Sequence, residues 1–125
     1  MTLQVYTARV TYAGADRLDI TRATADRNPS APGRWWAPSW RILKPAKTMF
    51  AFATDLRAHG HAERADFVAA QAWARYEERY REEMLLSYRQ HRAAWDELLA
   101  RESVTLCCFC PSPGTCHRRL LAGYL

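Results

Sequence analysis

The sequence has no cysteine before residue 107, and all four of its cysteines lie between residues 107 and 116. It has no run close to the ~18 apolar residues that a membrane-spanning helix needs, so no membrane partner is expected. The first residues combine neither a basic segment nor an apolar one, which predicts no signal peptide and a cytoplasmic location. In that compartment, clustered cysteines predict thiol chemistry or metal binding rather than a structural disulfide.

Lysine is scarce, because two lysines stand against sixteen arginines in a chain of formal net charge +5. Arginine binds phosphate as a two-pronged donor and stacks on planar groups. The positive balance therefore favours an anionic partner, either a small phosphorylated or carboxylated molecule or a nucleic acid. The alternative is that the arginine bias reflects only the nucleotide composition of the gene.

The length of 125 residues predicts one domain over 1–125 with its own core. Short strands are predicted over residues 3–10 and 17–21, and a third follows over residues 104–109. The third strand is an unbroken apolar run, which is typical of a central, buried strand. Because helical segments separate the second strand from the third, we expect an α/β fold with a small, mostly parallel sheet flanked by helices.

Two helical segments are predicted in the middle of the chain. The first covers residues 45–59, with Pro45 in its first turn and Gly60 after its end. The second covers residues 62–101, with a break favoured near residues 87–90. Large apolar and aromatic residues recur there every three or four positions, and such a stripe is more typical of core packing than of a ligand site. Its members are Trp73, Tyr76, Tyr80, Met84, Tyr88, His91, Trp95 and Leu98.

Tryptophans flanked by arginines lie in a segment that proline breaks up. Residues 23–45 contain four prolines and a glycine, so they cannot form one regular element. Trp36 and Trp40 are candidates for a stacking wall against a base or another planar ligand. The alternative is that the tryptophans fold back as a lid over the core, and the two roles are compatible.

The densest group of reactive side chains follows the last predicted strand. A loop with two prolines leads into C-H-R-R-L-L-A-G-Y-L, which predicts a helix capped by Thr115. Free N–H groups and the helix dipole stabilise a thiolate at such a position, so Cys116 is the candidate nucleophile or redox centre. His117 is the candidate proton donor or acceptor. Arg118, together with the same N–H groups, is the candidate anion site.

Asp19 and Arg22, at or near the end of the second predicted strand, are candidates for the opposite wall of this site. Asp19 is the third catalytic candidate, and Arg22 is the second anion-binding one. A surface salt bridge is the alternative for both residues.

Cys110 is the candidate second thiol. It either resolves an oxidised Cys116 or joins Cys116 and His117 around a metal ion. A four-cysteine site is disfavoured because Cys107 and Cys108, adjacent in a strand, point to opposite faces. The C-x5-C spacing is not that of a redox C-x-x-C pair, and C-x7-R is longer than the C-x5-R loop of cysteine phosphatases. No metal or other cofactor is predicted as resident.

Three segments resemble the domain-of-unknown-function 488 family. These are the first strand around Tyr6, the aspartate–arginine element of residues 18–22, and the closing strand with C-H-R and a helix, residues 104–121. The family's usual element is Asp-x-Arg, whereas two residues separate Asp19 from Arg22 here. The resemblance implies an α/β fold that gathers these motifs at one end of the sheet.

The sequence leads to three functional hypotheses. The first is an enzyme that acts on a nucleotide, a nucleic acid or another phosphate-bearing ligand through the Cys-His-Arg site. The second is a non-catalytic module that binds nucleic acid or a partner through arginine and tryptophan. The third is a small metal site of cysteine and histidine.

Overall fold

The computed structural model describes residues 2–109 and 116–125 and contains a three-stranded parallel sheet. Its strands are β1 (Gln4–Arg9), β2 (Arg17–Asp19) and β3 (Ser103–Cys108), in the order β1-β3-β2. The last strand of the chain therefore lies at the centre. The predicted α/β fold with a small parallel sheet is confirmed.

The central strand presents different residues to the two faces of the sheet. Val104 and Leu106 are fully buried in the main core, and Cys108 follows them on the same face because side chains alternate along a strand. Thr105 and Cys107 point to the opposite face. In register with β3, Leu18 of β2 lies beside Leu106 and adds to the same core.

Helices pack against the core face of this sheet. The helices are α1 (Arg22–Arg27), α2 (Trp40–Ala58), α3 (Ala62–Gln90), α4 (Arg92–Leu99) and α5 (His117–Tyr124), with a 3-10 turn at Arg34–Trp36. The short helix α1 was not predicted, and its N-cap is Thr21, whose hydroxyl accepts from Thr24 N at 3.2 Å. Over residues 2–109 and 116–125, no helix combines the length and apolar character needed to cross a membrane.

Helix α2 starts five residues earlier than predicted, so Pro45 lies inside it rather than in its first turn. The cause is a tertiary contact at its N-terminus. The Glu83 carboxylate of α3 accepts from Ser39 N at 3.0 Å and from the Ser39 hydroxyl. A carboxylate there satisfies a helix N-terminal N–H and interacts favourably with the helix dipole.

The predicted aromatic stripe runs along α3 and α4, and its members other than His91 pack in or against the core, as expected. The break predicted near residues 87–90 occurs just after them, at His91 between the two helices. Tyr80 is fully buried at its centre and donates to Trp36 O at 2.7 Å. Burial raises the pKa of Tyr80 well above its usual value, so the hydroxyl remains a donor.

The opposite face of the sheet is covered by polar interactions from the turn before β2. Asp16 accepts hydrogen bonds from Ser103 Oγ, Thr105 Oγ1 and Tyr12 OH at 2.7–3.1 Å. The hydrogen bonds from Tyr12 and Thr105 lower the pKa of Asp16. Arg17 continues the network, because its guanidinium donates to the Tyr12 and Val10 carbonyls.

Candidate functional site

The Cys-His-Arg triplet joins the start of α5 to all three strands. Cys116 lies against Cys108 at the end of β3, His117 Nε2 contacts Ile20 O just after β2, and Arg118 Nη1 donates to Ala8 O of β1 at 2.5 Å. Thr115 was the predicted N-cap, but the N-cap is Cys116, in extended conformation at φ −135° and ψ 144°. The helix therefore begins one residue later than expected, directly at the C-terminal ends of the strands.

The two sulfur atoms lie side by side, since Cys116 Sγ is 2.6 Å from Cys108 Sγ. Cys116 Sγ is also 3.8 Å from His117 Nδ1. All three side chains are buried. The structure thus brings together the predicted Cys116 and His117, and it adds Cys108, which was not a predicted site residue.

Two contacts fix the orientation of the His117 ring. Its Nε2 lies 2.8 Å from the Ile20 carbonyl oxygen, and the Tyr80 ring meets it edge-on at a centroid distance of 5.6 Å. Because a carbonyl oxygen only accepts hydrogen bonds, Nε2 carries the hydrogen. When the ring is neutral, its lone pair lies on Nδ1, on the side of the Cys116 sulfur.

These three side chains form the buried end of a cavity of about 240 Å³. The cavity lies between the C-terminal ends of the strands and the helices α2 and α3. Most of the cavity wall is apolar, as is usual for a small-molecule site. Four aromatic side chains from the two helices line it: Trp40, Phe50, Trp73 and Tyr76. The helical stripe therefore serves both the core and the cavity, through Trp73 and Tyr76.

Two cations, Arg22 and Lys47, line the cavity at its more exposed part. Asp26 holds two neighbours in place, because it pairs with Arg22 Nε at 3.0 Å and accepts from Trp40 Nε1 at 2.8 Å. Lys47 Nζ lies 5.3 Å from the Trp40 ring centroid. With two cations and one carboxylate, this part of the cavity has a net charge of +1.

Asp19 does not line the cavity but builds the turn that positions α1. Its carboxylate accepts from Thr21 N at 2.9 Å and from Thr24 Oγ1 at 2.8 Å, with Arg17 at 3.6 Å. Burial opposes ionisation, yet these hydrogen bonds and the Arg17 charge together lower the pKa of Asp19. Gly33 passes so close to the Asp19 carbonyl oxygen that a Cβ on it would be 1.8 Å away.

Two other predicted residues lie outside the cavity lining. Trp36 is 3% exposed in the core and meets Trp95 edge-on at 5.7 Å, whereas Trp40 is 40% exposed and lines the cavity. Arg118 is also 3% exposed, and its Nε has no hydrogen-bond partner among the described residues. The predicted second thiol, Cys110, falls outside the described residues.

Cys108 and Lys47 are the main site residues that sequence reasoning missed. Cys108 carried a usable signal, because alternation along the strand places it on the same face as the buried Val104 and Leu106. Lys47 carried no such signal, since its role depends on how α2 packs across the C-terminal ends of the strands. Cys107 instead faces away, and its Sγ donates to Thr105 O at 3.4 Å.

Cys108, Cys116 and His117 could together hold a metal ion, because their ligand atoms lie within 4.8 Å of one another. Two sulfurs and an imidazole nitrogen are donors that suit zinc, and three protein ligands leave a fourth position. The Nε2–Ile20 contact also supplies the outer hydrogen bond that orients most metal-binding histidines. This set contains Cys108 in the place that the sequence assigned to Cys110.

Comparisons with known proteins agree with the predicted family resemblance. No curated protein and no solved structure matches the chain. The family model DUF488-N3a, described as the active DUF488-N3 subclade, matches residues 2–125. The chain therefore belongs to the DUF488 family.

Proposed function

We propose that the protein is an enzyme that acts on a nucleotide unit, bound in the aromatic cavity, with Cys116 as the reacting thiol. The single observation that carries the proposal is the pairing of Cys116 Sγ with His117 Nδ1, 3.8 Å apart, at the buried end of that cavity. The description of the matching subclade as active agrees with an enzymatic role.

In this proposal His117 accepts the Cys116 proton through Nδ1. The Ile20 carbonyl, bonded to Nε2, keeps the ring in the tautomer that can do so. A nucleophile, an adjacent base and a third group that orients the base form the usual arrangement for activating a thiol. The position of Cys116 at the N-terminus of α5 further favours the thiolate.

The ligand class follows from the cavity wall. A planar base can stack on the ring of Trp40 or Trp73, because stacking on aromatic side chains is favourable for every base. Arg22 and Lys47 then supply the positive charge for a phosphate group. The cavity volume of about 240 Å³ admits one base-sized group.

The remaining predicted residues take supporting roles in this proposal. Asp19 acts as a positioning residue, since its hydrogen bonds hold the turn from which Arg22 enters the cavity. Trp36 supports the core, and Arg118 anchors α5 to β1. Arg22 and Lys47 replace Arg118 as the proposed phosphate contacts, because they line the cavity and Arg118 does not.

The test is protection of Cys116 from alkylation. We expect adenosine 5′-monophosphate or a short single-stranded oligonucleotide to slow alkylation of Cys116. The probe that slows alkylation more shows whether the ligand is a free nucleotide or a nucleic acid. Trp40→Ala and Arg22→Ala should weaken this protection roughly tenfold. Arg41→Ala, an exposed arginine outside the cavity lining, is the matched control. Equal alkylation rates with and without both probes would contradict the proposal.

A metal centre is the second candidate, favoured by the grouping of Cys108, Cys116 and His117 within 4.8 Å. In this case Cys116 is a ligand rather than a nucleophile. Comparing the native and denatured masses of the reduced protein tests it. A zinc-sized adduct that is lost on denaturation and missing from Cys108→Ser supports the metal centre, and a metal-free native mass after zinc addition excludes it.

The non-catalytic alternative uses arginines and tryptophans outside the cavity. Arg34 covers the Trp35 ring at 4.2 Å, and His91 stacks on the same ring at 3.6 Å, so this ring already has two partners. Among the tryptophans of this segment, Trp40 therefore offers a base more surface. Unchanged nucleic-acid binding by Arg34→Ala and Arg41→Ala would exclude this alternative.

A further inference from the structure

Cys108 lies where a second thiol can trap an oxidised Cys116. It is the last residue of β3, on the core face of the sheet, and its Sγ lies 2.6 Å from Cys116 Sγ. A disulfide bond is about 2.05 Å long, so only a small movement separates this arrangement from a covalent bond. The two sulfurs already approach each other across the junction between β3 and α5.

The cavity gives an oxidant access to this pair of sulfurs. Cys108 and Cys116 both line the cavity, although each is at most 2% exposed. A molecule as small as hydrogen peroxide fits easily into a space of about 240 Å³, whereas a folded reducing protein does not. Oxidation therefore depends on access through the cavity and on whether a ligand occupies it.

The neighbouring cysteine is a poor competitor. Cys107 points to the opposite face and is not in the cavity lining. Its sulfur donates instead to the carbonyl of Thr105.

We propose that Cys108 is the resolving thiol of Cys116, so that peroxide converts the pair into a disulfide that switches off the site. This proposal rests on the proposed function only in taking Cys116 as the reactive thiol of the cavity. It gives Cys108, whose sulfur contacts Cys116, the resolving role that the sequence predicted for Cys110.

The reaction proceeds in two steps. The Cys116 thiolate attacks one oxygen of peroxide, the O–O bond breaks, and the displaced hydroxide takes a proton to leave as water. The sulfur, oxidised by two electrons, is then a sulfenic acid. Cys108 attacks this sulfur, the S–O bond breaks, the S–S bond forms, and the second oxygen leaves as water with the Cys108 proton. In sum, two thiols and one peroxide give a disulfide and two waters.

The experiment counts thiols in the full chain. The protein is reduced, stripped of metal with a chelator, treated with one equivalent of hydrogen peroxide, and labelled with an alkylating reagent under denaturing conditions. We expect the wild type to fall from four labelled cysteines to two, with full recovery after reduction. Cys107→Ser should show the same loss of two thiols and is the matched control.

Cys108→Ser and Cys108→Ala should both prevent disulfide formation and leave Cys116 as sulfenic acid. Two variants are used so that one poorly folded protein does not decide the result, with circular dichroism as the check. A disulfide that still forms in both, but not in Cys110→Ser, would overturn the proposal in favour of Cys110. A wild type that keeps four thiols would also overturn it.

This readout needs no substrate, so it separates the two proposals. If the disulfide forms but no nucleotide protects Cys116, the proposed function fails and the redox pair remains. If nucleotides protect Cys116 but no disulfide forms, the proposed function remains and the redox pair fails.

Discussion

The two faces of the sheet are held by different interactions, although the same strand supplies both. On the core face, Leu106 and Val104 are fully buried among apolar side chains, and the face ends at the cavity with Cys108. On the opposite face, Thr105 joins a hydrogen-bond network around Asp16. One face is stabilised by burial and carries the reactive groups, whereas the other is stabilised by directional hydrogen bonds.

Adjacent cysteines show what this difference does to chemistry. Cys107 and Cys108 are both buried and differ in sequence position by one residue. Cys108 nevertheless lies in the cavity beside Cys116 and His117. Cys107 lies on the opposite face, where Arg17 and Asp19 are its charged neighbours. We therefore expect the reactivity of each thiol to depend on the face of the strand that carries it and not on its burial alone.

The largest effect is expected from removing core volume on the cavity side. Leu106→Ala should lower the free energy of unfolding by about 3 kcal/mol, because it removes buried methyl groups and leaves a cavity. Urea denaturation measures the change. Tyr6→Ala, on the opposite face and 55% exposed, is the control and should cost less than about 1 kcal/mol. Equal losses of unfolding free energy in the two variants would show that both faces of the sheet are stabilised by burial.

Next in size is the difference in thiol reactivity. Cys108 and Cys116 should react with a small alkylating reagent at least about tenfold faster than Cys107, which is buried and outside the cavity. Time-resolved mass spectrometry with fragmentation assigns each label. Cys107→Ser should remove only the slow phase, and loss of a fast phase in that variant would contradict the comparison.

A smaller effect is expected from the polar face. Thr105→Val removes one hydrogen bond to the Asp16 carboxylate and should lower the free energy of unfolding by about 1 kcal/mol. The exposed Thr7 of β1, substituted in the same way, is the control. Denaturant curves that coincide for Thr105→Val and the wild type would mean that the network adds nothing.

The smallest effect is a dependence of stability on pH. The lowered pKa of Asp16 means that its carboxylate stabilises the fold above the unfolded-state pKa of about 3.9. That stability is lost as the pH falls through the lower, folded-state pKa. The difference in unfolding midpoint between the wild type and Asp16→Asn should therefore be largest above about pH 4 and narrow below it. Asp55→Asn, at an exposed helix position, is the control variant.

Much of the fold follows from the sequence because its patterns are local. The unbroken apolar run of β3 required burial on both faces, which placed it at the sheet centre. The three-to-four-residue spacing of α3 and α4 placed Tyr80 and Trp95 in the core. The predicted start of α2 was wrong because the N-cap Ser39 is held by Glu83. That residue belongs to another helix, 44 residues away in the chain.

The sequence by itself determined the α/β fold, the family and the concentration of reactive groups at the Cys-His-Arg triplet. Only the tertiary structure decided which neighbours these groups have. It set Cys108 beside Cys116, placed Lys47 on the cavity and moved Trp36 into the core. The physical reason is that periodicity reports which side of its own element a residue faces. What lies across from that side depends on how separate elements pack.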